Sequence, residues 1–209
     1  MYISRFHYLT QDILGYLHVE QVRLACENGV DWIQLRVKNK QRDEVMQIAK
    51  EAIAICKQHK VTLIINDHVE ICKAVDADGV HLGKTDMPVK EARMFLGKDK
   101  IIGGTANTIE DIIRLYDDGV DYAGLGPFRF TRTKQNLSPV LGVEGYEKIL
   151  TEMRNKYIQT PVIAIGGIRI DDVGMLMKSG IHGIAVSSAV HYVEDKLDVL
   201  KGFMSVFLD

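Results

Sequence analysis

Gln34-Leu35-Arg36-Val37-Lys38 follows directly on the apolar run Val30-Asp31-Trp32-Ile33. Side chains alternate along a strand, so Gln34, Arg36 and Lys38 share one face. An amide and two permanent cations make a poor core and a good anion clamp. Arg presents a planar fork of donors and Lys a point charge, which together suit a phosphate or pyrophosphate. Taken alone, Arg-x-Lys fits a solvated strand face better than an anion clamp, and its weight comes from similar residues further along. Leu63-Ile64-Ile65 runs into Asn66-Asp67, and a later run ends Gly83-Lys84-Thr85-Asp86. Others end Gly103-Gly104-Thr105-Ala106-Asn107, Gly124-Leu125-Gly126-Pro127, Gly166-Gly167 and Ser187-Ser188.

Asp67 and Asp86 place two carboxylates beside these phosphate donors. Mg²⁺ is commonly held by one or two carboxylates, with water and substrate phosphates completing the shell. Zn²⁺ would call for His or Cys at set spacing, which His68 and His81 do not supply. Helix N-capping is the alternative role for either Asp. Gly166-Gly167 opens onto Asp171-Asp172, a helix start. Backbone N–H groups there and near Ser187-Ser188 predict a second anion site. The segment from Phe128 to Gly142 exceeds the usual connection of about two to six residues. It carries Thr131, Arg132, Thr133 and Lys134, ahead of the turn-forming Ser138-Pro139, and reads as an active-site lid or else a surface excursion. No general base or nucleophile stands out. A reaction driven by departure of a metal-bound pyrophosphate needs electrostatic stabilisation more than proton transfer.

The elements that must position these residues follow from a repeated phrase. Asn28-Gly29-Val30-Asp31, Ala77-Asp78-Gly79-Val80, Asp118-Gly119-Val120-Asp121 and Ser179-Gly180-Ile181-His182 each precede an apolar strand. In at least three, a helix-like stretch ends at a Gly suited to a left-handed cap. Strands are predicted at 6–10, 31–37, 62–66, 79–83, 101–105, 122–126, 161–166 and 183–188, with amphipathic stretches such as Arg42 to His59 and Asp171 to Lys178 between most of them. Strands and helices alternating in this way predict an α/β fold, a single closed (β/α)8 TIM barrel, with a doubly wound open sheet as runner-up. In such barrels chemistry sits at the carboxyl ends of the strands, where the residues above fall.

The 209 residues carry a net charge of -2, with 46% hydrophobic and 26% charged residues. This predicts one globular domain over residues 1–209, with no basic field for nucleic acid. No apolar run approaches the roughly 18 residues of a spanning helix, and no secretory signal is expected. Cys26, Cys56 and Cys72 read as small buried residues of a reduced, cytoplasmic protein.

These segments, taken in order from about residue 6 to residue 190, resemble thiamine phosphate synthase. The Gln34-x-Arg36-x-Lys38 strand and the Thr131-x-Thr133-Lys134 loop are the specific part; Ile165-Gly166-Gly167-Ile168 is shared by many barrels. The resemblance implies a Mg²⁺-dependent transferase of thiamine biosynthesis that joins a hydroxymethylpyrimidine diphosphate to a thiazole phosphate. The pyrimidine C–O bond breaks first, and the thiazole nitrogen captures the resulting carbocation. Carried over, Gln34, Arg36, Lys38, Asn66 and Lys134 would hold the diphosphate, and Asp67 and Asp86 the Mg²⁺. Thr105 stands where the family usually has Ser near the leaving group, so Thr105, Arg36 and Lys134 would serve the chemistry. Thr131, Thr133, Gly167, Ser187 and Ser188 would line the thiazole phosphate site. Lys84, Asn107 and the pair Arg129-Phe130 depart from the family's usual Gln, His and Tyr-Pro. A thiazole tautomerase shares the barrel but typically relies on a His at the Asn107 position, and Asn does no acid–base work near neutral pH. A non-catalytic ligand-binding barrel is the remaining alternative. The resemblance implies small-molecule partners, no nucleic acid and no membrane; it leaves homo-oligomer formation open.

Overall fold

The computed structural model describes residues 2–130 and 139–207. The strands are β1 (Phe6–Leu9), β2 (Trp32–Leu35), β3 (Thr62–Asn66), β4 (Gly79–Leu82), β5 (Ile101–Ala106), β6 (Tyr122–Leu125), β7 (Val162–Ile165) and β8 (Gly183–Val186). Between them lie α1 (His18–Glu27), α2 (Arg42–His59), α3 (Val69–Val75), α4 (Val89–Leu96), α5 (Ile109–Asp117), α6 (Gly142–Asn155) and α7 (Ile170–Ser179), and α8 (Ser188–His191) and α9 (Lys196–Ser205) follow β8. All eight strands pair in parallel in chain order, and β8 closes onto β1 through Phe6↔Ile184, His7↔Ala185 and Tyr8↔Val186. The expected closed (β/α)8 barrel is the observed fold, and the open sheet is excluded.

Alternation divides the core in two. Outward residues such as Ile33, Leu63, Val80, Ile102, Ala123 and Ile184 pack under the helices. Inward residues such as Leu9, Trp32, Ile64, Ile101, Tyr122 and Ile163 fill the barrel. Each fully buried Ile or Leu contributes about 1.5–3 kcal/mol, so both faces of every strand are specified by burial. The interior is not uniformly apolar. His7 stacks on Trp32 at 4.4 Å, and both meet the Tyr122 ring edge-on at 5.1 and 5.7 Å. Burial pushes the His7 imidazole well below its ordinary value, so it sits there neutral.

Several expectations shift by a residue or two. Helix Arg42–His59 falls where predicted, whereas β2 ends at Leu35, leaving Arg36 and Lys38 beyond the paired residues. Gly29, Gly119 and Gly180 take the left-handed conformation, as three of the four repeated phrases require. The fourth does not: Gly79 pairs with Ile101 inside the ladder, and Asp76 is the left-handed cap. Thr131, Thr133, Lys134 and most of the predicted lid lie outside the described residues.

Candidate active site

Strands β2, β3 and β4 are neighbours, so their ends deliver the predicted residues to one side of the mouth. Gln34 and Asn66 are buried, and Gln34 Nε2 donates to Asn66 Oδ1 at 2.8 Å. That bond orients Asn66 and leaves its Nδ2 buried without a partner among the described residues. A buried amide donor left unspent loses its full hydration, so an anion arriving there gains a prepaid contact.

The Arg36 side chain is partly buried and makes no hydrogen bond or ion pair with a described residue. Burial lowers its pKa, and the nearby Asp67 and Asp12 carboxylates only partly oppose that. Its backbone is fixed instead: Arg36 N donates to Thr10 Oγ1 at 2.9 Å, and Lys38 N to Asp12 Oδ2 at 3.1 Å. His18 locks these two acceptors, with Nδ1 2.9 Å from Thr10 Oγ1 and Nε2 2.9 Å from Asp12 Oδ1. Thr10, Asp12 and His18 were not singled out in the sequence. Their signal is weak: one polar cluster at the end of β1, with no unusual spacing.

Lys38 Nζ lies 2.5 Å from Asp67 Oδ2. Asp67 and Asp86 come together and act as one acid pair. Burial raises the Asp67 carboxyl, but Lys38 and a hydrogen bond shared with Asp86 outweigh this and hold it below its ordinary value. Asp86 moves upward, through burial and the neighbouring Asp67, despite the Gly83 N–H donated to its Oδ2 at 2.6 Å. The two carboxyls lie within hydrogen-bonding reach of each other, so one cation could draw on both. Neither is a helix cap, since His68 and Pro88 hold those places on α3 and α4. Two carboxylates with phosphate donors around them fit Mg²⁺, and among the described residues no third His, Cys, Asp or Glu joins them.

Lys84 and Asn107, the departures beside the site, are spent on structure. Lys84 Nζ pairs at 2.5 Å with Asp111 Oδ2, which also accepts from the N–H groups of Asn107 and Thr108 at the start of α5. Burial raises the Asp111 carboxyl, and Lys84 with those two N–H groups brings it below its ordinary value. Asn107 Nδ2 donates to the Gly126 carbonyl at 2.5 Å. Thr105 is different: its Oγ1 lies 3.0 Å from His81 Nε2.

Across the mouth, Gly166 and Gly167 both have positive φ, 98° and 68°. A Cβ at Gly166 would stand 2.8 Å from Pro127 Cα, so the pair admits the chain leaving β6. Arg129 clamps that corner. Its Nη1 donates to the Gly167 carbonyl at 2.7 Å, and its two Nη atoms form a fork with Asp172 at 2.7 and 2.8 Å. The Asp172 carboxyl is held below its ordinary value, chiefly by Arg129. Ser187 Oγ donates to Gln11 Oε1 at 2.9 Å, so its hydroxyl proton is spent. What Ser187 and Ser188 offer at the start of α8 is backbone N–H, which a first helical turn leaves without intrahelical partners.

Comparison with known proteins bears on this geometry as a whole. A family model described as thiamine monophosphate synthase matches residues 9–190. The thiamine-phosphate synthase of Bacteroides fragilis is 47% identical over 199 residues, covering 95% of this chain and 98% of its own. That of Phocaeicola vulgatus is 49% identical over 191 residues, covering 91% and 92%. The solved thiamine phosphate pyrophosphorylase of Pyrococcus furiosus superimposes with a TM-score of 0.84 at 33% identity, covering 97% of this chain and 94% of that one.

Proposed function

The chain belongs to the thiamine monophosphate synthase family, and from that premise we propose that it joins a hydroxymethylpyrimidine diphosphate to a thiazole phosphate, giving thiamine phosphate and pyrophosphate. The observation that carries the diphosphate assignment is unspent polarity. A partly buried guanidinium with no described partner and a buried amide donor face the same mouth as a carboxyl pair. Such a cluster is costly when empty and is relieved by a polyanion with a cation.

In this reading the C–O bond of the pyrimidine methylene breaks and its electron pair leaves on the diphosphate oxygen. The thiazole ring nitrogen then gives its lone pair to the cationic carbon. Gln34, Arg36, Lys38 and Asn66, with Lys134, bind and orient the diphosphate. Asp67 and Asp86 would hold Mg²⁺, and the chemistry a bound Mg²⁺ supplies is neutralisation of charge on the leaving group. Thr105 sits beside the breaking bond. Gly167, Ser187 and Ser188, with Thr131 and Thr133, take the thiazole phosphate, largely through backbone N–H groups. Orientation and electrostatics account for the rate, and no residue needs to transfer a proton.

The three free cysteines are buried, which supports a reducing, cytoplasmic setting. Among the described residues no helix is long and apolar enough to cross a membrane. The test is to mix the protein with both substrates and Mg²⁺ and follow products. Thiamine phosphate and pyrophosphate should appear in equal amounts. Absence of product, together with proton exchange into the thiazole phosphate alone in D₂O, would make the tautomerase reading correct.

A further inference from the structure

Two side chains with no part in binding phosphate or metal, the buried Tyr122 and the half-buried His81, connect to Thr105 from below. Tyr122 OH lies 3.0 Å from His81 Nδ1, and His81 Nε2 lies 3.0 Å from Thr105 Oγ1. Two glycines make room for this chain. A Cβ at Gly103 would stand 2.2 Å from Tyr122 Cζ, and one at Gly124 would stand 3.0 Å from His81 Cε1. The chain is therefore built into the barrel wall rather than being a chance contact between flexible side chains.

The hydrogen bonds have one consistent direction. Tyr122 is fully buried, and burial pushes its phenol far above the ordinary value, so it is neutral with one proton to give. Among the described residues its only hydrogen-bond partner is His81 Nδ1. Were Nδ1 protonated, the phenol proton would be buried with no acceptor and would bear its full desolvation cost. Tyr122 therefore donates to Nδ1, the imidazole proton resides on Nε2, and Nε2 donates to Thr105 Oγ1. Thr105, having accepted from below, sends its own proton upward, where no described residue accepts it. The β-branch of Thr restricts χ1, so the oxygen keeps its place.

We propose that Tyr122 and His81 are positioning residues that make Thr105 a hydroxyl donor toward the mouth, aimed at the leaving oxygen of the diphosphate. A donor there meets the negative charge that appears as the C–O bond breaks. A hydroxyl free to turn its lone pair to that oxygen would oppose it. The identity of the acceptor rests on the synthase reading above, whereas the order of the protons does not.

Two measurements separate these. Nitrogen-15 NMR of the His81 ring in the wild-type protein should show the neutral tautomer protonated at Nε2. A ring protonated at Nδ1, or at both nitrogens, overturns the proposal whatever the enzyme does. In kinetics, Tyr122→Phe keeps the ring and removes the donor. It should lower kcat about tenfold, the size of one lost orienting hydrogen bond, with KM for the pyrimidine diphosphate changed by less than about twofold. The same exchange in a Thr105→Val background should have no further effect, and Thr105→Ser should restore most of the rate lost in Thr105→Val. Equal losses from Tyr122→Phe in the two backgrounds would mean that Tyr122 acts by packing alone. A wild-type protein forming no thiamine phosphate would sink the function, and the tautomer measurement would still decide the proton order.

Discussion

The two sides of the barrel mouth solve anion binding in opposite ways. On the β2–β4 side two polar groups are left unspent among the described residues, the Arg36 guanidinium and the Asn66 Nδ2, beside an Asp86 carboxyl pushed upward by burial and by Asp67. On the β6–β8 side one cation and one hydroxyl are already engaged. Arg129 is forked onto Asp172, and the Ser187 hydroxyl is donated to Gln11. The first side therefore binds by side-chain charge and is unstable when empty, while the second offers backbone N–H groups on a corner held by its own ion pair. Substitutions on the first side should cost activity and little stability. Those on the second should cost stability and less activity.

The largest effect is expected at the acid pair. Asp67→Ala or Asp86→Ala should lower turnover by at least about a hundredfold, the scale of several kcal/mol that a metal supplies, and EDTA should abolish activity until Mg²⁺ is restored. Full turnover in a thoroughly stripped sample would remove the metal from the account. The pair also sets a pH dependence. The Asp86 carboxyl is raised, so a proton competes with the metal as pH falls through a range above that of an ordinary aspartate. Mg²⁺ affinity measured by titration calorimetry should weaken on that acidic side, and in Asp86→Asn it should be low and flat with pH.

Arg36→Ala comes next, at roughly 2–4 kcal/mol in kcat/KM, the scale of a lost charged donor. Its melting temperature should hold or rise, because a desolvated cation without a described partner is removed. A variant that unfolded while its folded fraction stayed active would reverse the comparison. Arg129→Ala should show the opposite balance. Loss of a partly exposed forked pair is worth about 1 kcal/mol of stability, with KM for the thiazole phosphate rising more than kcat falls. The Asp172 carboxyl lies below its unfolded value, so that stability is present above the ordinary aspartate range and is lost as pH falls through it. Ser187→Ala should change activity by less than about threefold, since its hydroxyl is already engaged.

The sequence made the β2–β4 side legible because charge cannot hide in an alternating pattern. Arg36, Lys38, Asp67 and Asp86 stand at strand ends whatever their neighbours do, and the barrel that gathers them follows from repeated strand phrases. What remained illegible depends on partners far along the chain. Lys84 stands two residues before Asp86 in place of the family's usual Gln, yet it pairs with Asp111 on α5. Asn107 stands at the end of β5 in place of the family's usual His, yet it donates to the Gly126 carbonyl just past β6. His81 and Tyr122 lie within strands of otherwise ordinary composition. Only closure of the barrel puts them in a line under Thr105, with Gly103 and Gly124 clearing their path.

The central claim is that the unspent donors of the β2–β4 side, rather than groups at the end of β8, carry most of the diphosphate affinity. It is tested most directly by calorimetric binding of inorganic pyrophosphate with Mg²⁺ to the wild type, Arg36→Ala and Ser187→Ala. The account predicts at least about a tenfold loss of affinity in Arg36→Ala, as expected for one charged contact, and affinity close to wild type in Ser187→Ala. Undiminished pyrophosphate binding in Arg36→Ala, or an equal loss in both variants, would contradict it.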